Sequence, residues 1–324
     1  MTLSVNTLPI AEAKTAIPDH SALFCFASFE SRTLVGPEAL KDSISHAFIF
    51  KNIKLEESDI NARIIEKQYK SSEIIDVTLD NPETTADLMA KAIDNLNGDI
   101  QSIIIDTTTF THETLLILLK IIQNQKDRFE KIFCIYVGAG GYSTGDTPEQ
   151  MWLSKGCKDV RNVIGYPGIL RPIAKTNLMI LAGFEIERAT RLIELIEPDR
   201  LILGNGIDPV AENHTAAMSF FQNKFAAWQK EYKNIDIETF EFSCKNIEDT
   251  VSKIQCIISG RSEENFILVP LNTKLSTIAA SLVAFSNPQI QLCYSIPETY
   301  NYSNYSIPGN NVTVVDLKSS NSFN

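Results

Sequence analysis

Ala22-Leu23-Phe24-Cys25-Phe26-Ala27-Ser28-Phe29-Glu30-Ser31-Arg32 and Leu178-Met179-Ile180-Leu181-Ala182-Gly183-Phe184-Glu185-Ile186-Glu187-Arg188 share one pattern: an apolar run, then Phe-Glu, then an arginine. They lie about 155 residues apart, too far for a solenoid repeat and right for a duplicated domain. Outward from each, short apolar runs alternate with longer amphipathic stretches, as expected of βαβ units around a parallel sheet. In the first half the predicted strands are Ala22–Ser28, Ala47–Lys51, Ile74–Leu79, Ile103–Asp106 and Lys131–Val137. In the second they are Leu178–Ala182, Leu201–Leu203, Ile237–Phe242, Phe266–Val269, Ile290–Tyr294 and Val312–Val315. Helices are expected over Thr84–Leu96, Glu113–Ile122, Glu187–Ile196, Ala211–Lys230, Ile247–Ile258 and Leu275–Phe285. The leucine-rich run from Leu115 to Ile122 is too continuous for an exposed helix and must pack on the sheet.

The expected fold class is α/β: two tandem Rossmann-like, doubly wound, mainly parallel halves related by internal duplication. The expected boundaries are 1–146 for the first half, 147–176 for an ordered connector and 177–324 for the second half. Two further pairs of loops support duplication. Asp106-Thr107-Thr108-Thr109-Phe110-Thr111 and Pro270-Leu271-Asn272-Thr273-Lys274-Leu275-Ser276-Thr277 each follow a fourth strand and lead into an apolar helix. Gly140-Gly141-Tyr142-Ser143-Thr144-Gly145 and Asn304-Tyr305-Ser306-Ile307-Pro308-Gly309 each follow a fifth strand.

Composition narrows the function. A net charge of -11 argues against a general nucleic-acid or membrane-surface binder. No apolar run is long enough to span a bilayer, and the amino terminus lacks a signal-peptide order, so a cytoplasmic location is expected. The six cysteines form no Cys-x-x-Cys pair and read as buried small hydrophobes. The four histidines are scattered, so no metal site is expected, and the residues identify no cofactor. The basic connector residues Lys155, Lys158, Arg161, Arg171 and Lys175 read as a solvated face, with an acidic partner as the alternative.

In an open parallel sheet, ligands bind beyond the carboxyl ends of the strands, where all three repeated loops fall. Thr107, Thr109, Ser143, Asn272, Thr273 and Ser306 are candidate hydrogen-bonding partners for phosphate or ribose. Lys274 at a helix start adds a charge for an anion, and Tyr142 and Tyr305 offer faces for a base. Against this, Thr111 and Ser276 are expected first as helix caps. Glu30 with Arg32, and Glu185 with Arg188, are equally readable as structural ion pairs and as ligand contacts. Glu30, Glu185 and Asp106 are the catalytic candidates, Asp106 as a base or metal ligand. The glycine cluster from Gly138 to Gly145 suits a phosphate-cradling turn, a lid or a plain turn, but lacks the Gly-Lys-Ser/Thr ending of a Walker loop.

Leu268-Val269-Pro270-Leu271-Asn272-Thr273-Lys274-Leu275-Ser276-Thr277, and more loosely Ile104-Ile105-Asp106-Thr107-Thr108-Thr109, resemble the strand, polar Thr/Lys turn and apolar helix of the CRISPR-associated Rossmann fold (CARF) and SAVED sensors of prokaryotic defence systems. The turn here lacks their usual glycine pair, and no effector domain is recognised in the sequence. The resemblance implies a cyclic oligonucleotide or related nucleotide bound across a two-fold or pseudo-two-fold axis. The expected function is a sensor or adaptor for a nucleotide-like small molecule, signalling to a protein partner. The alternatives are an enzyme acting on a nucleotide or phosphoester through Glu30 or Glu185 with Arg32 or Arg188, and a non-enzymatic interaction subunit.

Overall fold

The computed structural model describes residues 3–142, 152–183, 185–208, 228 and 230–323. The chain divides into two compact units, Met1–Gly140 with Ser306–Asn324, and Gly141–Tyr305.

The first unit runs β1 (Ser4–Pro9), β2 (Ser21–Ala27), α1 (Val35–Leu40), β3 (Ile44–Asn52), α2 (Glu56–Glu66), β4 (Ser72–Val77), α3 (Pro82–Asp94), β5 (Ser102–Asp106), α4 (His112–Asn124) and β6 (Lys131–Tyr142), and is completed by β15 (Ser306–Asp316). Every residue of β2 is buried, as expected of a strand covered on both faces, and this is why its sequence is continuously apolar. The second unit runs β7 (Ser154–Lys155), β8 (Asp159–Pro167), β9 (Thr176–Ala182), α5 (Ile186–Ile196), β10 (Arg200–Gly206), β11 (Asp236–Phe242), α6 (Ile247–Ser259), β12 (Asn265–Pro270), α7 (Lys274–Ser286), β13 (Gln291–Ile296) and β14 (Thr299–Tyr300). The helix expected over Ala211–Lys230 falls largely outside the described residues.

Both main sheets use one order. The first is β1-β15-β6-β5-β2-β3-β4 and the second β11-β10-β9-β12-β13-β8. Numbered within each unit, the parallel strands read 3-2-1-4-5, the doubly wound Rossmann-like order. The helices between them follow local rules. Thr111 and Thr273 cap α4 and α7 by accepting hydrogen bonds from the backbone N–H groups of Thr114 and Ser276. Asn81 caps α3, with Pro82 at its first position. Leu115–Leu119 of α4 are all buried, as their unbroken apolarity predicts. No helix among the described residues is long and apolar enough to cross a membrane.

Several expectations are corrected. The stretch 147–176 is not a connector between sheets, since β8 is the outermost strand of the second sheet, antiparallel to β13. The strand at Val312–Val315 belongs to the first unit, where β15 lies between β1 and β6. The segment following each half's fifth strand thus supplies the sixth strand of the other unit. The Gly138–Tyr142 part of the glycine cluster is neither turn nor lid but the end of β6. A Cβ on Gly140 would lie 2.8 Å from the Pro308 carbonyl oxygen, and one on Gly309 2.8 Å from that of Gly138, so the glycines let the backbones of β6 and β15 approach closely. Of the cysteines, Cys256 is exposed on α6 and Cys157 half-buried, while the other four are buried.

Candidate functional site

In each unit the first and fourth strands are neighbours (β2 with β5, β9 with β12), and the winding reverses there. The carboxyl ends at this switch point are where ligand chemistry is expected.

In the first unit the loop after β2 enters a 3-10 turn over Ser31–Leu34. Arg32 Nε donates to Glu30 Oε2 at 2.8 Å, and both side chains are buried. A guanidinium Nη1 of Arg32 donates to the Val137 carbonyl oxygen at 3.3 Å, midway along β6, the fifth strand. Ser306 Oγ, opening β15, donates to Glu30 Oε2 at 2.5 Å. The carboxylate is therefore neutralised and held from two sides.

The second unit repeats this arrangement. Arg188 pairs with Glu185, and both side chains are nearly inaccessible. Arg188 also donates to Ser295 Oγ at 3.0 Å and to the Ser295 carbonyl oxygen. Its guanidinium carbon sits 5.0 Å from the centre of the Tyr294 ring. Ser154 Oγ, on β7, donates to Glu185 Oε1.

Sheet register shows the two ties to be equivalent. In the first unit Cys25 is opposite Asp106 and Asp106 opposite Ile135, so Val137 lies two residues further along β6. In the second, Ile180 is opposite Val269, and Leu268 opposite Leu292, which puts Cys293 at the place of Ile135 and Ser295 at the place of Val137. Register thus matches the two fifth-strand carbonyls, and each unit adds to them an acid, an arginine and a serine from the segment after the other unit's fifth strand.

The fourth loops are closed on their own backbone. Thr107 Oγ1 donates to the Ile135 carbonyl at 2.8 Å. Thr33 and Thr109 both donate to the Phe26 carbonyl, at 2.8 and 2.5 Å. Thr107 and Thr109, expected as ligand contacts, are buried and spent on fixing the ends of strands. Asp106 is wholly buried, accepts from the Thr108 hydroxyl and N–H, and lies against Gly36, where a Cβ would come within 2.1 Å of Oδ2. Burial pushes its pKa up to about 6, with Thr108 and then Arg32 pulling the other way. Burial first, and Asp106 second, also raise the Cys25 thiol. The same register puts Val269 where Asp106 stands.

In the second unit Asn272 Nδ2 donates to the Ala182 carbonyl at 2.5 Å, tying the fourth loop to the first strand. Thr273 Oγ1 reaches the Cys244 carbonyl at 3.2 Å, beyond the third strand. Lys274, half-buried, is the first residue of α7. Tyr142 is buried at the end of β6 and presents no open face for a base. Tyr305 is half-buried, its ring 6.2 Å from that of Tyr300 and edge-on to it. Ser143 lies outside the described residues.

Ser154, Ser295, Thr33, Thr108 and Gly36 complete these networks, and the sequence reading did not single them out. Ser295 carried a usable signal: Tyr294-Ser295, near the end of a fifth strand, is the same dipeptide as Tyr142-Ser143 and Tyr305-Ser306.

No family model matches the chain. No curated protein matches it in sequence. Among solved structures it is similar to a C2-type ketoreductase from a modular polyketide synthase, at 11% identity and a TM-score of 0.21, covering 88% of this chain and 69% of that one. It is also similar to an N-terminal ketoreductase from the macrolactin assembly line, at 10% identity and a TM-score of 0.20, covering 83% and 64%. Similarity at this level carries no functional inference.

Proposed function

We propose that this chain is a sensor or adaptor, built by internal duplication, that takes a nucleotide-like anion at the carboxyl ends of its strands and signals to a protein partner without catalysing a reaction. The observation that supports this reading is the doubled tie of acid, arginine, fifth-strand carbonyl and serine. A general acid or base needs an accessible proton site. Glu30 and Glu185 are instead each paired with an arginine and bonded to a serine, with little of either side chain exposed. They fix the loops that frame the switch point, a binding role rather than a chemical one. This weighs against Glu30 and Glu185 as catalytic groups, and Asp106, the third candidate, is wholly buried.

The two units then differ where a ligand would discriminate. Both fourth loops lead into a capped helix, but the first position of that helix is Lys274 in the second unit and His112 in the first. The positive end of a helix together with a lysine suits a phosphate. The resemblance of these loops to CARF and SAVED sensors makes cyclic oligonucleotides the first ligands to try, and a cytoplasmic prokaryotic defence or signalling system the setting.

The test is a melting-temperature panel of mono-, di- and cyclic oligonucleotides on the full chain. A ligand at about 100 times its dissociation constant adds about 2.7 kcal/mol of stability, an easily read shift. The expected result is a shift that Lys274→Ala diminishes while no nucleotide is turned over. Turnover that Glu185→Gln abolishes with the fold intact points to the enzyme instead. No shift with any member refutes both ligand readings and favours the interaction subunit, which the closure of Thr107–Thr109 already fits for the first unit.

A further inference from the structure

A cleft of about 280 Å³ opens in the second unit, between the carboxyl ends of α6 and α7 and over the amino ends of β12 and β13. It lies at the end of that sheet away from the switch point, so no residue of the site described above borders it. Its apolar floor is small: buried Phe266 and Ile290 with half-buried Ile258. The rest is mostly uncharged and polar. Among the described residues, the carboxamides of half-buried Gln255 and exposed Gln289 and the hydroxyl of exposed Ser262 have no hydrogen-bonding partner within the chain. Asn287 is held by its Nδ2, which donates to the Val283 carbonyl at 2.9 Å.

The charged side chains at the cleft are spent within the chain. Arg261 Nη2 donates to both carboxylate oxygens of Glu238 at 2.7 Å, and its Nη1 to the Ile257 carbonyl at 3.4 Å. Glu264 Oε2 accepts from Arg200 Nη1 at 2.8 Å and from Asn177 Nδ2 at 2.9 Å. An anion is disfavoured further, since two helices end here and each carboxyl end carries about half an elementary negative charge. A full positive charge would shed its water without an unengaged carboxylate to replace it. Hydroxyl hydrogens suit the same helix ends at far less cost in desolvation. The ties of Arg261 and Glu264 also fix the walls, and a site ordered before binding loses little freedom on binding.

We propose that this cleft is a second binding site and that its ligand is a small uncharged polyol, a monosaccharide in size and chemistry. A hydroxyl both donates and accepts, as a carboxamide does, so Gln255, Gln289 and Ser262 can each be met by one. The C–H face of the ring then lies on Phe266 and Ile290. The volume falls just below the range of about 300–1,000 Å³ usual for small-molecule sites, which holds the occupant to a single ring. The site is separate from the anion site proposed above and stands whether or not that one does.

Amide resonances of the full chain, followed on addition of D-glucose, D-ribose and myo-inositol, test this. The expected result is that at least one of them shifts the signals of Gln255, Ser262 and Gln289 in a saturable way. Gln255→Leu with Gln289→Leu is expected to raise the dissociation constant about tenfold or more. Ser262→Trp, which fills the cleft from an exposed position, is expected to abolish the shifts. Each variant should melt as the parent does, since none of the three side chains is buried or bonded. No saturable shift with any of the three polyols overturns the proposal, as does binding indifferent to both sets of substitutions. Inorganic phosphate or spermidine moving the same signals at a lower concentration than any polyol overturns it in favour of an ionic ligand.

Discussion

Asp106 is a carboxyl group that folding would rather keep protonated. Its ordinary value of 3.8 is raised to about 6 by complete burial. Below pH 3.8 both folded and unfolded chains hold the proton, and burial is tolerated. Between 3.8 and about 6 the unfolded chain releases the proton while the folded chain keeps it, so stability falls as pH rises. Above that window the whole loss, about 3 kcal/mol, remains. Asp106→Asn keeps an acceptor for Thr108 without the charge. It is therefore expected to melt higher than the parent at pH 7, the advantage fading toward pH 4, as thermal unfolding across that range will show. A second expectation concerns Glu185 and Arg188, buried together. Arg188→Met alone strands a buried carboxylate and should cost about 3–5 kcal/mol, whereas Glu185→Gln with Arg188→Met should recover much of it in urea unfolding. These pairs were legible in the sequence because acid and base are nearly adjacent. Their closing partners were not. Val137 lies over a hundred residues from Arg32, and Ser295 as far from Arg188, distances at which only sheet register shows who meets whom.

At the scale of elements, local pattern was a good guide wherever burial dictated it. β2, β9 and α4 are apolar because each is covered by protein, and all three were readable. β1 and β8 escaped notice because they are edge strands, with exposed and half-buried residues and little apolar signal. The glycine cluster misled for a different reason: glycine permits a turn, and equally permits two backbones to touch. Two substitutions separate these uses within β6. Gly140→Ala brings a Cβ within 2.8 Å of the Pro308 carbonyl and should cost about 1–3 kcal/mol. Gly138→Ala, two residues earlier, meets nothing within 4 Å and should stabilise the strand by about 0.5–1 kcal/mol through the loss of glycine's freedom in the unfolded chain. Urea unfolding of the two variants is expected to move in opposite directions. A phosphate-binding turn would have made both equally harmful to ligand binding and neutral to stability.

For the whole molecule, the alternation of strands and helices foretold two doubly wound sheets but placed the strand at Val312–Val315 in the second half and read the stretch that forms β8 as a connector. Nothing local in Ser306–Asp316 distinguishes pairing with the nearby β13 from pairing with β6, far away in sequence. The preference is settled by the glycine contacts on β6 and by Ser306 meeting Glu30. A chain ending at residue 146, the boundary the sequence favours, would leave β1 without its partner β15 and β6 with an open edge. Such an edge recruits other chains, so that fragment is expected to aggregate or remain unfolded. The contacts of Gly140 with Pro308 and of Gly309 with Gly138 run β6 and β15 in opposite directions, their ends close enough for a hairpin. Residues 3–141 joined through Asn-Gly to residues 306–323 should therefore fold alone, with a single cooperative melt and dispersed amide resonances. If the joined chain fails as completely as the 146-residue fragment, the first unit is not the self-sufficient body that its sheet implies.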